Sequence, residues 1–166
     1  PESLQSDAYF NTFKEADQLQ GNKIIKFIDE LYEKLDSHKG LTYVLAFNFQ
    51  RLRKLHKPDD FSWDDTETST ADKLQELIQN GPEKGIHFII HVDSYNAHQR
   101  SLGNKLLVEF DWRIMTQMSQ TDSLSLIDQT DASKLEMNSA LVYQDQLGSV
   151  KKFRPFALPA ISFFES

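Results

Sequence analysis

The chain has 166 residues, and its 18 Lys and Arg against 25 Asp and Glu give a formal net charge of −7. Its length suits one domain or part of a larger one, and a composition that is 39% hydrophobic and 26% charged is typical of a globular chain with a core. The absence of Cys excludes disulfides, thiolate nucleophiles and cysteine metal sites, and the acidic balance disfavours general affinity for nucleic acid.

Helical spacing predicts a helical lead-in over residues 1–38. Its best-defined part is Lys23–Asp36, where apolar residues recur at helical spacing before the break at Gly40. Leu41–Phe47 is an apolar run, broken only by Thr42 and rich in strand formers, which predicts a strand buried on both faces. The segment Phe49–Leu55 that follows is predicted to turn helical.

Residues 58–69 form an acidic stretch, which we expect to be a solvated loop. Ser69 or Thr70 then caps a predicted helix that runs to Gln79 and ends at a Gly-Pro break. A second capped helix is predicted over Ser123–Ile127, with Ser119 or Thr121 as its cap, and a single turn over Ala132–Leu135.

Strands alternate with these helical segments in the rest of the chain. We predict strands at Ile86–Val92, Trp112–Met118, Ser139–Tyr143 and Val150–Phe156, with a hairpin turn over Asp145–Gly148 between the last two. The alternation predicts an α/β fold over residues 41–156, with a mainly parallel sheet, helices on both faces and a C-terminal hairpin.

Sequence motifs of common enzyme sites are absent. The six Gly residues never form G-x-x-x-x-G-K-[ST] or G-x-G-x-x-G, and no G-x-S-x-G elbow is present. His91, Asp93 and His98 could approach one another at a strand end as metal ligands, but the spacing matches no metal motif. We therefore expect no metal site and interpret His87 and His91, on one side of a strand, as packed or hydrogen-bonded histidines.

Two basic clusters are candidates for phosphate contact. They consist of Arg51, Arg53, Lys54 and Lys57 after the first strand, and of Lys151, Lys152 and Arg154 in the last strand. The alternative is a solvated surface whose first cluster pairs with the acidic stretch beyond it.

The first residues and the longest apolar run of the chain give information on its localisation. The chain starts at Pro1 with neither Met nor a signal-peptide pattern, and we expect a piece of a longer protein. The longest apolar run, Tyr43–Phe47, is far shorter than the roughly 18 residues of a membrane-spanning helix. We expect a cytoplasmic chain, whose parent can itself associate with a membrane.

Several segments resemble those of one ATPase family. Asn80–Ser94 reads NGPEKGIHFIIHVDS, a helix end followed by Gly-Ile-His and an apolar strand. Phe110–Asp128 reads FDWRIMTQMSQTDSLSLID, and the segments DASKL at 131–135 and SALVY at 139–143 follow. In this order, between Leu74 and Pro155, they resemble the second half of the motor domain of FtsK/SpoIIIE-type DNA-translocating ATPases, which belong to the RecA-like P-loop group.

The resemblance extends upstream to a degenerate Walker B strand. Thr42–Leu52 reads TYVLAFNFQRL, and Asn48 and Phe49 stand where active members carry Asp-Glu. An amide lacks the charge that helps to hold magnesium, and a phenyl ring cannot polarise water. Asp93 and Ser94 stand in place of Thr-Gln, and Leu124 where many members have Arg. The resemblance thus implies no catalytic residue here and leaves Asn48, Asp93 and Ser94 as altered nucleotide-site positions.

The resemblance also implies a role. The chain would be the C-terminal, catalytically inactive portion of an ATPase-like domain that lacks its first strand and its P-loop. It would serve a larger motor as a structural or regulatory module and hold no cofactor itself, while the parent uses ATP and Mg²⁺ and moves DNA in chromosome segregation or cell division. Its partners would be the upstream half of the same protein or neighbouring ATPase modules, and an exposed sheet edge could also make it a homo-oligomer.

The sequence is also compatible with three other functions. The first is an ATP-binding DNA translocase domain whose P-loop lies upstream, with Asp93 replacing the lost acid. The second is a DNA-binding module that uses the two basic clusters. The third is an α/β interaction domain that shares only its fold with the family.

Overall fold

The computed structural model describes Asp17 and residues 19–56 and 68–157. The predictions for residues 1–16 and for most of the acidic stretch lie outside the described residues, as does Lys57. Five α-helices and five strands, besides short 3-10 turns, are described: α1 (Asn22–Glu33), β1 (Thr42–Ala46), α2 (Thr70–Asn80), β2 (Ile86–Ile90), α3 (Tyr95–Ser101), α4 (Gly103–Leu107), β3 (Trp112–Met115), α5 (Gln120–Ile127), β4 (Ala140–Gln144) and β5 (Ser149–Phe153). The predicted α/β class is confirmed.

Serine caps fix the starts of three helices. Ser69 Oγ accepts a hydrogen bond from the backbone N–H of Asp72 at 3.2 Å, and Ser119 Oγ accepts one from the backbone N–H of Asp122 at 3.1 Å. Of the two predicted alternatives for each helix, the cap is therefore Ser69 and not Thr70, and Ser119 and not Thr121. Ser94 caps α3 in the same way. Among the described residues no helix is long and apolar enough to cross a membrane.

The strands form two sheets. β1 and β2 pair in parallel, with Thr42 opposite Ile86 and Ala46 opposite Ile90, whereas β3, β4 and β5 form an antiparallel sheet in that order. The C-terminal hairpin is therefore confirmed. The prediction of a mainly parallel sheet is wrong for the described residues, because only one strand pair is parallel. The alternation of strands and helices does not reveal which strands pair.

The main core lies on one face of the parallel pair. Ile28 of α1, Leu77 of α2 and Ile86 of β2 are buried in a single cluster, against which Val44 and Phe88 pack. The Nζ atom of Lys73 lies 2.8 Å from Asp29 Oδ1 and the hydroxyl of Tyr32 donates to Glu76 Oε2 at 2.9 Å, which joins α1 to α2. A separate cluster that includes Met115, Ile127 and Leu141 lies under the antiparallel sheet.

The opposite face of the parallel pair, here called the outer face, consists of Leu41, Tyr43, Leu45 and Ile89. These side chains remain 52–63% exposed. The predictions that β1 is buried on both faces and that helices cover both faces of the sheet are therefore wrong for the described residues. The reason is that α1 and α2 pack together on the inner face. Parallel sheets are almost always covered on both faces, so this surface is incomplete as it stands.

Candidate functional site

The carboxyl ends of β1 and β2 lie at the same edge of the parallel sheet, where open α/β folds bind ligands. Asn48 occupies the turn after β1 with φ 51° and ψ 49°, a left-handed conformation that Asn tolerates better than most residues. Its backbone N–H donates to His91 Nδ1 at 3.3 Å, and the N–H of Phe49 donates to the His91 carbonyl at 3.0 Å. The turn is thus bonded to the end of β2.

Phe49 does not face this edge. Its side chain is 1% exposed, belongs to the main core and lies 5.5 Å from the ring of His56. The residue in the second acidic position of the resemblance therefore packs inside the protein and offers no polar atom to a nucleotide or a water molecule.

Asp93 and Ser94 follow β2 at the same edge. Ser94 Oγ donates to Asp93 Oδ1 at 3.1 Å and accepts the N–H of Ala97 at 3.2 Å, so its hydroxyl is used in capping α3. Asp93 is exposed. No group of three or more His, Asp or Glu residues within the described ranges could hold a metal ion. The edge thus presents the exposed carboxylate of Asp93 and the neutral side chain of Asn48.

The other histidines of this region have separate environments. His87 stacks on Tyr43 at 5.5 Å between ring centroids, whereas His98 is buried, 5% exposed, and its Nε2 has no hydrogen-bond partner. Burial, and then the charge of Arg113, lowers the pKa of His98 below its ordinary value of 6.5. His98 is therefore mainly neutral at pH 7. Within the described ranges, His91, Asp93 and His98 do not come together as a group that could hold a metal ion.

Arg113 has a structural position on β3. Its side chain is 12% exposed, and its guanidinium donates to the carbonyl of Leu126 at 2.7 Å and to that of Leu107 at 3.2 Å. It also pairs with Asp145 Oδ1 at 2.9 Å and lies 5.4 Å from the ring centroid of Tyr143. One residue thus joins β3 to the end of α4, to α5 and to the hairpin turn.

The two basic clusters lie in different parts of the fold, one in turns and the other on a strand and just after it. Arg51, Arg53 and Lys54 lie in the turns after β1, and Arg53 and Lys54 line a cavity there. Lys151 and Lys152 lie on β5, where successive residues point to opposite faces, and Lys152 Nζ lies 3.8 Å from Glu136 Oε2. Arg154 follows that strand and is exposed.

The sequence interpretation missed two residues of that cavity. Arg100 on α3 and Gln50 after β1 line it together with Arg53 and Lys54. Arg100 lies far along the chain from the first basic cluster and belongs to no motif, so only the parallel pairing of β1 with β2 brings it there.

Comparison with solved structures supports the topology. The chain is similar to the genome packaging NTPase B204 of Sulfolobus turreted icosahedral virus 2, solved in complex with AMPPCP, with a TM-score of 0.53, 12% sequence identity and 86% of this chain covered. The chain has a P-loop NTPase-like fold. No family model and no curated protein matches its sequence.

The NTPase-like fold is matched over only part of the viral protein. This chain spans 65% of the length of B204, so about a third of that chain has no counterpart in the match. The likeness concerns the fold alone, because function depends on site residues that a fold does not determine.

Proposed function

We propose that this chain is the C-terminal, catalytically inactive portion of an FtsK/SpoIIIE-like DNA-translocase ATPase and works as a structural or regulatory module of a larger cytoplasmic motor. The NTPase-like fold supports the class of protein. The segments between Leu74 and Pro155, which follow one another in the same order as in FtsK/SpoIIIE-type ATPases, support the narrower family.

The observation that carries the inactive role is the chemistry at the ends of β1 and β2. Metal-assisted phosphoryl transfer needs carboxylates that hold Mg²⁺ and a polar group that orients the attacking water. Asn48 offers an amide, Phe49 is buried in the core, and Asp93 is hydrogen-bonded to Ser94. ATP and Mg²⁺ would then be used by other parts of the motor.

The outer face supports the structural role. Its four large hydrophobic side chains are exposed on one surface of the parallel pair, whereas α1 and α2 cover the other surface, and parallel sheets are almost always covered on both faces. We propose that the upstream half of the same protein or a neighbouring ATPase module covers this face. Burial of large apolar side chains is the main driving force for such contacts.

ATP turnover by the purified chain tests the inactive role. We expect phosphate release from magnesium ATP to equal that of the buffer, because Asn48 and Phe49 stand in place of the acidic pair that holds the metal and activates water in the family. Turnover that saturates with ATP and disappears in an Asp93→Asn variant would overturn the proposal, because Asp93 would then act as the missing acid.

A further inference from the structure

One face of the antiparallel sheet, here called the tryptophan face, is apolar and exposed. Trp112 and Ile114 of β3 are 60% and 70% exposed, whereas Met115, the next residue, belongs to the buried cluster under the opposite face. The register of the sheet gives the other members of the tryptophan face: Gln144 and Ser149 in the row of Trp112, Val142 and Lys151 in the row of Ile114, and Ala140 and Phe153 in the next row.

The composition of this face does not suit contact with water. An antiparallel sheet with one solvated face usually carries polar side chains there, in alternation with the apolar side chains of its core face. Here Ile114 pairs with Val142 in the middle row, and Phe153 is 38% exposed at the end of β5. Lys151 is the only charged side chain among the paired residues of the tryptophan face. A contiguous apolar surface of this kind indicates a contact with another protein segment.

The chain leaves the sheet beside this face. β5 ends at Phe153, and Pro155 has no N–H with which to continue the hydrogen bonds of a strand. Phe156, which follows, is fully exposed. The next part of the chain therefore starts only a few residues from the tryptophan face.

That next part, residues 158–166, lies outside the described residues and reads LPAISFFES. Four of its nine residues are large and apolar, and its one charge, on Glu165, is opposite to that of Lys151. Nine residues reach at most about 30 Å, whereas three strands about 4.8 Å apart measure about 10 Å across, so the segment is long enough to cross the sheet. Its covalent link to β5 also keeps its local concentration at the face high.

We infer that residues 158–166 pack on the tryptophan face, with Phe163 and Phe164 against Trp112 and Ile114. The inference goes beyond the proposed function, because it concerns the antiparallel sheet and not the outer face of the parallel pair. Its consequence is that the chain covers one of these two apolar faces by itself and leaves the outer face for a partner.

The fluorescence of Trp112 tests the inference in the full chain. A Trp63→Phe background leaves Trp112 as the single tryptophan. Addition of Phe163→Ser/Phe164→Ser should raise the acrylamide quenching constant at least about twofold, because Trp112 loses a large apolar contact. Phe163→Leu/Phe164→Leu keeps apolar side chains at both positions and should keep Trp112 shielded.

A matched control and a proximity measurement separate this segment from other occupants of the face. Phe10→Ser/Phe13→Ser removes two phenylalanines from another part of the chain outside the described residues and should leave the quenching constant unchanged. Because the chain has no Cys, Ser162→Cys in the same background can carry a single nitroxide, which quenches Trp112 only at short range. We expect this quenching to be independent of protein concentration.

Three results would overturn the inference. The first is an equal quenching constant with and without Phe163→Ser/Phe164→Ser. The second is a larger effect of Phe10→Ser/Phe13→Ser, which would assign the face to residues 1–16. The third is nitroxide quenching that disappears on dilution, which would assign the face to a second copy of the chain. Circular dichroism of each variant checks that it remains folded.

Discussion

Replacement of Gly85 by alanine is expected to lower the free energy of unfolding by about 3 kcal/mol, from backbone strain and from steric overlap. Gly85 has φ 83°, and a Cβ atom there would overlap the carbonyl oxygen of Gly40. The carbonyl of Gly85 also accepts the N–H of Thr42 at 2.8 Å, beside the first pair of the β1–β2 register. Any shift that relieves the overlap therefore disturbs the parallel pair. Urea denaturation measures the change.

Gly148→Ala is the matched control for this prediction. Gly148 also has a positive φ, 57°, but a Cβ atom would meet nothing within 4 Å. Its replacement should cost only the conformational strain, about 1 kcal/mol. Equal losses in the two variants would show that the close approach to Gly40 contributes nothing.

Replacement of Arg113 by methionine should also lower the free energy of unfolding by about 3 kcal/mol, because the ion pair and the hydrogen bonds of this 12% exposed side chain to partly buried carbonyls are lost. Methionine keeps much of the apolar stem but leaves the carbonyls of Leu107 and Leu126 without their donor. Asp145 is 42% exposed at its side chain and can be solvated, which limits the loss. Thermal and urea unfolding measure the change.

Two further variants separate the hydrogen bonds of Arg113 from its charge. Arg113→Lys keeps the charge but replaces the planar fork with one ammonium, so its stability should lie between those of the wild type and Arg113→Met. Arg154→Met removes an exposed cation and should change the free energy of unfolding by less than about 0.5 kcal/mol. A similar loss in Arg113→Met and Arg154→Met would contradict the bridging role.

The helices could be predicted because their signals are local. Apolar spacing in Lys23–Asp36 predicted α1, and the structure has α1 over Asn22–Glu33 with a short 3-10 turn at Leu35–Ser37. Ser69 and Ser119 carry their capping signal in their own hydroxyl groups. The predicted positions of the later strands also agree with the structure to within a few residues.

The sheet arrangement could not be predicted with the same success, because it depends on distant contacts. The apolar run of β1 is typical of a strand covered on both faces, yet its alternate residues remain exposed. That composition is explained if another protein segment packs on the outer face. Likewise, the alternation of helices and strands gave no sign that β3 pairs with β4 in antiparallel orientation and not with β2.

The candidate site was predicted only in part. The apolar run before Asn48 predicted that this residue follows a strand, and in the structure Asn48 lies in the turn after β1. The burial of Phe49 depends on its place in the main core, whose other members come from distant parts of the chain, so the local sequence does not reveal it. Arg100 could not be paired with Arg53 from sequence, because their approach depends on the parallel register of β1 and β2.

We propose that the outer face is a docking surface, and binding of a hydrophobic fluorescent dye tests this proposal most directly. The variant Leu45→Thr/Ile89→Thr replaces two apolar side chains of this face with residues that still favour strands. The control Met137→Thr/Leu147→Thr replaces two side chains that are more exposed, 84% and 71%, and lie elsewhere.

The wild type should bind the dye, and the outer-face variant should lose at least about half of the signal, because a contiguous apolar patch binds such dyes more strongly than scattered residues do. The control should keep nearly all of it, and both variants should remain within about 1 kcal/mol of wild-type stability. Equal dye binding by all three proteins would contradict the claim that the outer face is the docking surface.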